Sequence, residues 1–419
     1  MLNTIYMNSS TFYKQCLVYI FFTSTLFLGF YLGEDTAGGA IYDYNIHLRT
    51  IDKVFSNGLF FGLLNYDNFE NSHSPIFIVI LNYLTFNNEL IGRLIYLLIS
   101  SLIVLAFYKI LILKYKNNFF GLFILSNFFL LSPYFRSYSI WPGDETISLI
   151  FFCLSIYFYF RFVKFEKNSV LFLLSNVLSL AIACYLRPIY CIFSIYFLYS
   201  FLINEKFNKK FFIVYFISNF VLAFPAFYYV FILDVNFFAS YLEGFNIVNT
   251  FTLFYLTIFF YLTPFILFDF RNIVFRFNSS NFIFSVIGSL LVIFFFNYEM
   301  SSGGGFYLKI SEVLFKNHIL VYSIFPIAFY YSNQILEINK IKNLILFVLL
   351  VFIEIDGYFF MESYDPLFYV LFLTLFDLDI NKKLDVNLNK RIIFIFIFQI
   401  FLIFSKFYQL NFINDFKLI

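Results

Sequence analysis

The chain has 419 residues, of which 62% are hydrophobic and only 12% charged, with a formal net charge of +2. A water-soluble domain carries roughly 25% charged residues, so this composition excludes one and describes an integral membrane protein. Scattered basic residues with no basic block exclude a nucleic-acid partner and serve instead as topology signals. Apolar runs of about 15–22 residues separated by short polar stretches follow the helical-span pattern, because a helix satisfies its own backbone hydrogen bonds within one segment. A transmembrane barrel would alternate apolar and polar residues in pieces of about 10, and no such alternation is sustained. Phe (72) and Tyr (34) are enriched along the whole chain, so aromatic stripes carry no functional signal. Cys16, Cys153, Cys184 and Cys191 sit in apolar runs without paired spacing, which suggests neither a disulfide framework nor a zinc site.

Hydropathy predicts a first helix at residues 15–32, retained rather than cleaved, with Lys14 on the inner side. A polar loop, residues 33–75, follows on the outer side. It contains an amphipathic piece at 42–55 suited to the interface and leads into a short apolar helix at 76–86, too short to span. Helix 91–113 ends inside at Lys114 and Lys116. Helix 119–135 returns outward to Arg136, Trp141, Asp144 and Glu145, and helix 146–160 goes inward to Arg161, Lys164 and Lys167. Helix 169–186 emerges at Arg187-Pro188, and helix 189–204 ends inside at Lys206, Lys209 and Lys210. Further spans alternate with outer loops at 234–249 and 297–316, the latter containing Gly303-Gly304-Gly305. An acidic patch follows (Glu354, Asp356, Glu362, Asp365), read as loop solvation, and a last helix begins near Ile392. The expected fold is all-α: a polytopic transmembrane helical bundle of about 11–13 spans, its first outer loop carrying short interfacial helices. Two parts are expected, a catalytic module at 1–205 and variable C-terminal helices at 206–419.

Orienting the helices by Lys and Arg alone sorts the other ionisable residues. Glu34, Asp35, Asp43, His47, His73, Arg136, Asp144, Glu145 and Arg187 all fall on the outer face. Glu34-Asp35 sits where the first helix ends, a place where a partly desolvated carboxylate can act as a general base or simply mark the interface. Asp43 and His47 are four apart and share a helix face, either as an acid–base or phosphate-binding pair or as a local helix contact. Arg136 and Arg187 each lie at an outer helix end beside apolar sequence. An unpaired guanidinium is costly there, so each either pairs with a carboxylate, Asp144 or Glu145, or receives an anion such as a phosphate.

The order of several short motifs adds to this. Glu34-Asp35 follows the first helix, His73-Ser74-Pro75 closes the loop, and Glu89 and Arg93-Leu94 open the next span, which ends in Lys114-x-Lys116. Ser132-Pro133 then precedes an outer loop, Asp144 opens a span and Arg187-Pro188 closes the one after. Across residues 1–205 this arrangement resembles the GT-C superfamily of polytopic glycosyltransferases. Two departures stand out: the acidic pair is Glu-Asp rather than the commoner Asp-Glu, and the closing element lacks its second proline. The resemblance implies transfer of a sugar from a polyprenyl-phosphate carrier to a glycan, lipid or protein acceptor at the outer face of the plasma or inner membrane. It implies a carboxylate base, for which Asp35, Glu34 and Asp43 stay open with Asp35 first, and substrate binding by His47, His73, Arg136, Asp144, Glu145 and Arg187. No metal-ligand set or nucleotide-binding motif is apparent, and a divalent cation is left open as a cofactor. Two other readings stand beside this one: a polymerase of lipid-linked repeat units, and a flippase of lipid-linked sugars.

Overall fold

Long apolar runs in this chain become helices because lipid offers no partner to a backbone amide, and the helix supplies one internally. The computed structural model describes residues 9–412 except 57, 67–74, 86–87, 116–117, 166–168, 234–245, 269–277, 300–302, 354–358 and 380–387. Among the described residues there is no strand, only an isolated bridge between Gly303 and Phe359. Among the described residues, seven helices are long and apolar enough to cross a membrane, or eight if a bent pair counts as one span. Apolar helices of 10–17 residues, Pro75–Thr85, Pro188–Leu202, Ser279–Phe295 and Ile341–Val351, supplement them. The chain is thus an integral, multi-pass helical bundle. Among the described residues, several of the apolar runs expected to span are built as these shorter helices.

By internal contacts the chain divides into two compact units. The first comprises residues 1–188, 213–226 and 387–413, so it holds most of the expected catalytic module and adds two later helices. Its elements are α1 (Ser9–Leu32), α2 (Ala40–Phe55), α3 (Leu59–Leu64), α4 (Pro75–Thr85), α5 (Glu89–Ser101), α6 (Ile103–Lys114), α7 (Phe119–Asn127), α8 (Pro133–Ile140), α9 (Asp144–Lys164) and α10 (Ser169–Leu186). The central part of α12 (Lys209–Phe227) and α19 (Leu388–Phe412) complete it.

Helices in lipid gain little from burying apolar surface against each other, so polar cross-ties and close packing set their register. Gln15 Nε2 donates to Tyr108 Oη at 2.9 Å, and Tyr19 Oη meets Ser101 Oγ at 2.7 Å. Phe30, near the other end of α1, packs under the Arg93 guanidinium. These three contacts make α1 antiparallel to the α5–α6 span. Asn176 Nδ2 donates to Ser155 O at 2.8 Å between α9 and α10, and Arg187 faces Glu145 where that hairpin opens. Glu34, Arg93, Glu145 and Arg187 therefore gather at one end of the unit, while Lys109, Lys114, Arg161 and Lys164 lie toward the other.

The expected helix 119–135 is not continuous. It runs as α7 and a 3-10 turn (Phe128–Leu131), then bends by 65° into α8. Ser132 and Pro133 cause the break: proline takes the first helical position, and Ser132 Oγ accepts from Phe135 N at 3.3 Å. The bend places a buried helical corner where an outer loop was expected.

The second unit comprises residues 189–212 and 227–386, with 414–419. It contains α11 (Phe193–Leu202), α13 (Ile247–Phe268), α14 (Ser279–Phe295), α15 (Gly305–Phe315), α16 (Ile319–Ile335), α17 (Ile341–Val351) and α18 (Leu367–Thr374). The expected loop 297–316 is in large part α15. Buried amides knit this unit: Tyr255 Oη and Asn333 Oδ1 are 2.6 Å apart, and Asn343 Nδ2 donates to Leu336 O (2.9 Å) and Asp377 O (3.1 Å). Glu354 and Asp356 lie outside the described residues, and Asp365, expected to be solvated, is only 2% exposed.

Candidate functional site

The site is built from a helix stop. Gly33, at φ +65°, ends α1 with paired bonds from Gly33 N to Phe30 O (3.2 Å) and Glu34 N to Gly29 O (2.9 Å). This is the Schellman arrangement, in which a residue without a Cβ takes the left-handed position. It fixes Glu34 immediately after the turn, with its carboxylate folded back over α1. A Cβ at Gly29 would lie 2.1 Å from Glu34 Oε2, so only glycine permits that approach.

Arg136 meets Glu34 there from α8. Its Nε donates to Glu34 Oε1 at 2.7 Å and its Nη2 to Oε2 at 2.5 Å. The remaining donors go to Thr25 Oγ1 (3.1 Å), Leu130 O (2.9 Å) and Thr25 O (3.0 Å). A guanidinium has five N–H groups, and here every one has an acceptor. The pair is largely buried, with side-chain exposures of 6% and 16%. Arg136 is thus tied to Glu34, and the expectation that its partner would be Asp144 or Glu145 is corrected: the helix stop delivers a nearer carboxylate.

The rest of the loop is pinned to the same corner. Thr36 Oγ1 donates to Pro133 O at 2.9 Å, Ala37 N to Ser137 Oγ at 2.7 Å, and Trp141 Nε1 to Glu34 O at 3.1 Å. Asp35 turns the other way and caps α2. Its Oδ1 accepts from Gly38 N (3.1 Å) and Ala40 N (3.3 Å), and its Oδ2 from Ile41 N (3.3 Å). A carboxylate there satisfies amides that the helix leaves open and complements its dipole.

As the sequence pattern predicts, α2 is amphipathic. Ala40, Tyr44, His47, Ile51 and Val54 form its buried stripe. His47 is buried with its ring edge-on to Phe77 of α4, 5.0 Å between centroids. Asp43 lies one turn before it, and Tyr138 Oη donates to Asp43 Oδ2 at 3.0 Å. Burial pushes the Tyr44 phenol well above its ordinary pKa; the negative charge of Glu89 raises it further, and Arg93 opposes.

Past the corner, Gly143 brings Tyr138 and Glu145 together; a Cβ there would stand 2.4 Å from the Tyr138 ring and 2.5 Å from Glu145 Oε2. Glu145 Oε1 is 3.4 Å from Arg187 Nη1, so the expected pairing of Arg187 with this acidic pair is present. Asp144 is buried at the start of α9, near Tyr96, whose hydroxyl donates to Gly143 O and meets Thr146 Oγ1 at 2.6 Å. His73 lies outside the described residues.

One end of the first unit thus joins Glu34, Asp35, Asp43, Arg136, Glu145 and Arg187 through Tyr138 and Trp141. The sequence reading did not single out Tyr138 as a link, and it quoted Arg93 only as part of a motif. Arg93 Nε donates to Ile140 O at 3.2 Å, and its guanidinium lies 3.5 Å from the Trp141 ring centroid. The available signal was an arginine in the opening turns of an apolar span, a position that calls for a partner. Among the described residues no group of three or more His, Cys, Asp or Glu side chains is arranged to hold a metal ion. No protein-family model, curated protein or solved structure matches the chain.

Proposed function

We propose that the chain is a glycosyltransferase that moves a sugar from a polyprenyl-phosphate carrier to an acceptor hydroxyl at the outer face of the membrane. One observation carries this reading: carboxylates of the first loop and arginines from two later helix ends, distant in sequence, meet at a single end of an apolar bundle. Inward-facing basic residues prefer the cytoplasmic side, and by that rule this end faces outward. Transfer from a lipid carrier needs a base for the acceptor and positive charge for the departing phosphate, both at the membrane boundary.

In this reaction the acceptor oxygen attacks the anomeric carbon and gives its proton to a carboxylate. The bond between that carbon and the phosphate oxygen breaks, and the lipid phosphate leaves with the electron pair. The surroundings divide the three carboxylates. Glu34 has both oxygens on Arg136, and Asp35 accepts three amide bonds as the cap of α2. Asp43, oriented by the Tyr138 hydroxyl, is the base we favour, with Asp35 next. Arg187, whose Nη1 lies 3.4 Å from Glu145 at the same end, is the positive charge we favour for the departing phosphate.

Membranes containing Asp43→Asn and Asp35→Asn, supplied with a polyprenyl-phosphate sugar, test the assignment. Asp43→Asn is expected to abolish transfer at unchanged protein level and melting temperature, whereas Asp35→Asn loses about 1 kcal/mol of stability through its cap. Full transfer by both variants sinks the carboxylate-base reading. Product from a repeat-unit donor alone points to a polymerase, and movement of lipid-linked sugar across the bilayer without transfer points to a flippase.

A further inference from the structure

Two of the three arginines at this end of the first unit, Arg136 and Arg93, differ in what holds them. Arg136 has an acceptor for each of its five N–H groups, whereas Arg93 spends one, Nε to Ile140 O. Among the described residues no hydrogen-bond acceptor meets Arg93 Nη1 or Nη2, and the carboxylate charge that acts on it is that of Glu89, one turn earlier on α5. Aromatic rings take the place of acceptors: Trp141 at 3.5 Å, Phe30 at 5.0 Å and Tyr44 at 5.8 Å from the guanidinium carbon. These rings come from the corner after α8, the end of α1 and the buried stripe of α2. Stacking uses the faces of the guanidinium and leaves its in-plane N–H edge available. The result is a donor fork whose orientation is set by one hydrogen bond and three rings, and whose two terminal nitrogens remain for a ligand.

We infer that Arg93 is an anion-binding residue that takes a phosphate group in its guanidinium plane, with Trp141 as the platform. A phosphate presents two oxygens at the spacing of the two terminal nitrogens and forms parallel charge-assisted bonds. Arg93 sits in the second turn of a membrane-spanning segment beside a tryptophan and a tyrosine, the residues that favour the level of lipid headgroups. That depth suits a phosphate carried on a lipid better than one free in water. Identifying it as the phosphate of the sugar donor rests on the transferase reading; the anion site itself does not.

Trp141 is the chain's one tryptophan, so its emission reports on this site alone. The full-length protein in phosphatidylcholine nanodiscs is titrated separately with polyprenyl monophosphate and with inorganic phosphate while Trp141 fluorescence is followed. A saturable response is expected, and Arg93→Gln should shift its midpoint by about tenfold or more, the loss typical of a charge-assisted pair. Arg93→Lys keeps the charge but loses the fork and is expected to bind less tightly than wild type, which carries the test if Arg93→Gln does not fold. Lys109→Gln, toward the other end of the same span, should leave the midpoint unchanged.

A response to the lipid but not to inorganic phosphate assigns a lipid-linked source, and an equal response to both assigns a free one; Arg93 dependence in either supports the site. No response in wild type, or one unchanged in both Arg93 variants, overturns it. Arg93-dependent binding in a protein that transfers no sugar removes the transferase reading and leaves the anion site standing.

Discussion

Arg136 and Arg93 stand at the same end of one unit and teach opposite lessons. Around Arg136 the chain supplies a carboxylate, a hydroxyl and two backbone carbonyls, so that the guanidinium joins α1, the 3-10 turn and α8. Around Arg93 it supplies rings, one carbonyl and, a turn earlier on α5, the charge of Glu89. The first arrangement consumes donors and fixes a fold; the second holds a cation in place without using up its hydrogen-bonding capacity. Residue type does not distinguish the two; burial and the inventory of acceptors do.

Substitutions can break this contrast in order of size. Arg136→Gln strands the Glu34 carboxylate in a largely buried setting and is expected to cost about 3–5 kcal/mol, seen as a large fall in melting temperature or loss of monodisperse protein. If Arg136→Gln melts as wild type does, the tie is not structural. Next comes Gly29→Ala, whose new methyl would press on Glu34 Oε2 and force that pair apart, costing about 1–3 kcal/mol in the same assay. The smallest effect is expected for Arg93→Gln, which gives up a stack and one hydrogen bond at a half-buried position, about 1 kcal/mol. A stability loss for Arg93→Gln as large as that for Arg136→Gln would erase the distinction drawn between them.

Much of the architecture was legible beforehand. The apolar runs at 91–113 and 169–186 correspond to the α5–α6 span and to α10, the amphipathic stretch at 42–55 to α2, and the short run at 76–86 to α4. Periodicity and length suffice for these because each helix satisfies its own backbone. The broken span at Ser132-Pro133 was signalled by its proline, but a hydropathy window does not register a bend. In the second unit, Gly305–Phe315 falls in a stretch read as a loop, yet the positive φ angles of Gly303, Gly304 and Gly305 lead into and open a helix. Of the site, the gathering of charged residues at one end was legible from the Lys and Arg pattern. The pairing of Glu34 with Arg136 was not, since the two are 102 residues apart and nothing local marks them as partners.

The sequence by itself determined that this is a polytopic membrane protein, where most of its helices lie, and which side chains fall near their ends, because hydropathy and backbone satisfaction are properties of contiguous residues. Only the tertiary structure decided that Glu34 belongs to Arg136, that Asp35 caps α2, that Tyr138 reaches Asp43, and that Arg93 is held by three rings and a single carbonyl. Those outcomes depend on where helix ends from distant parts of the chain come to rest, and a hydrogen bond is set by that placement to within a few tenths of an ångström.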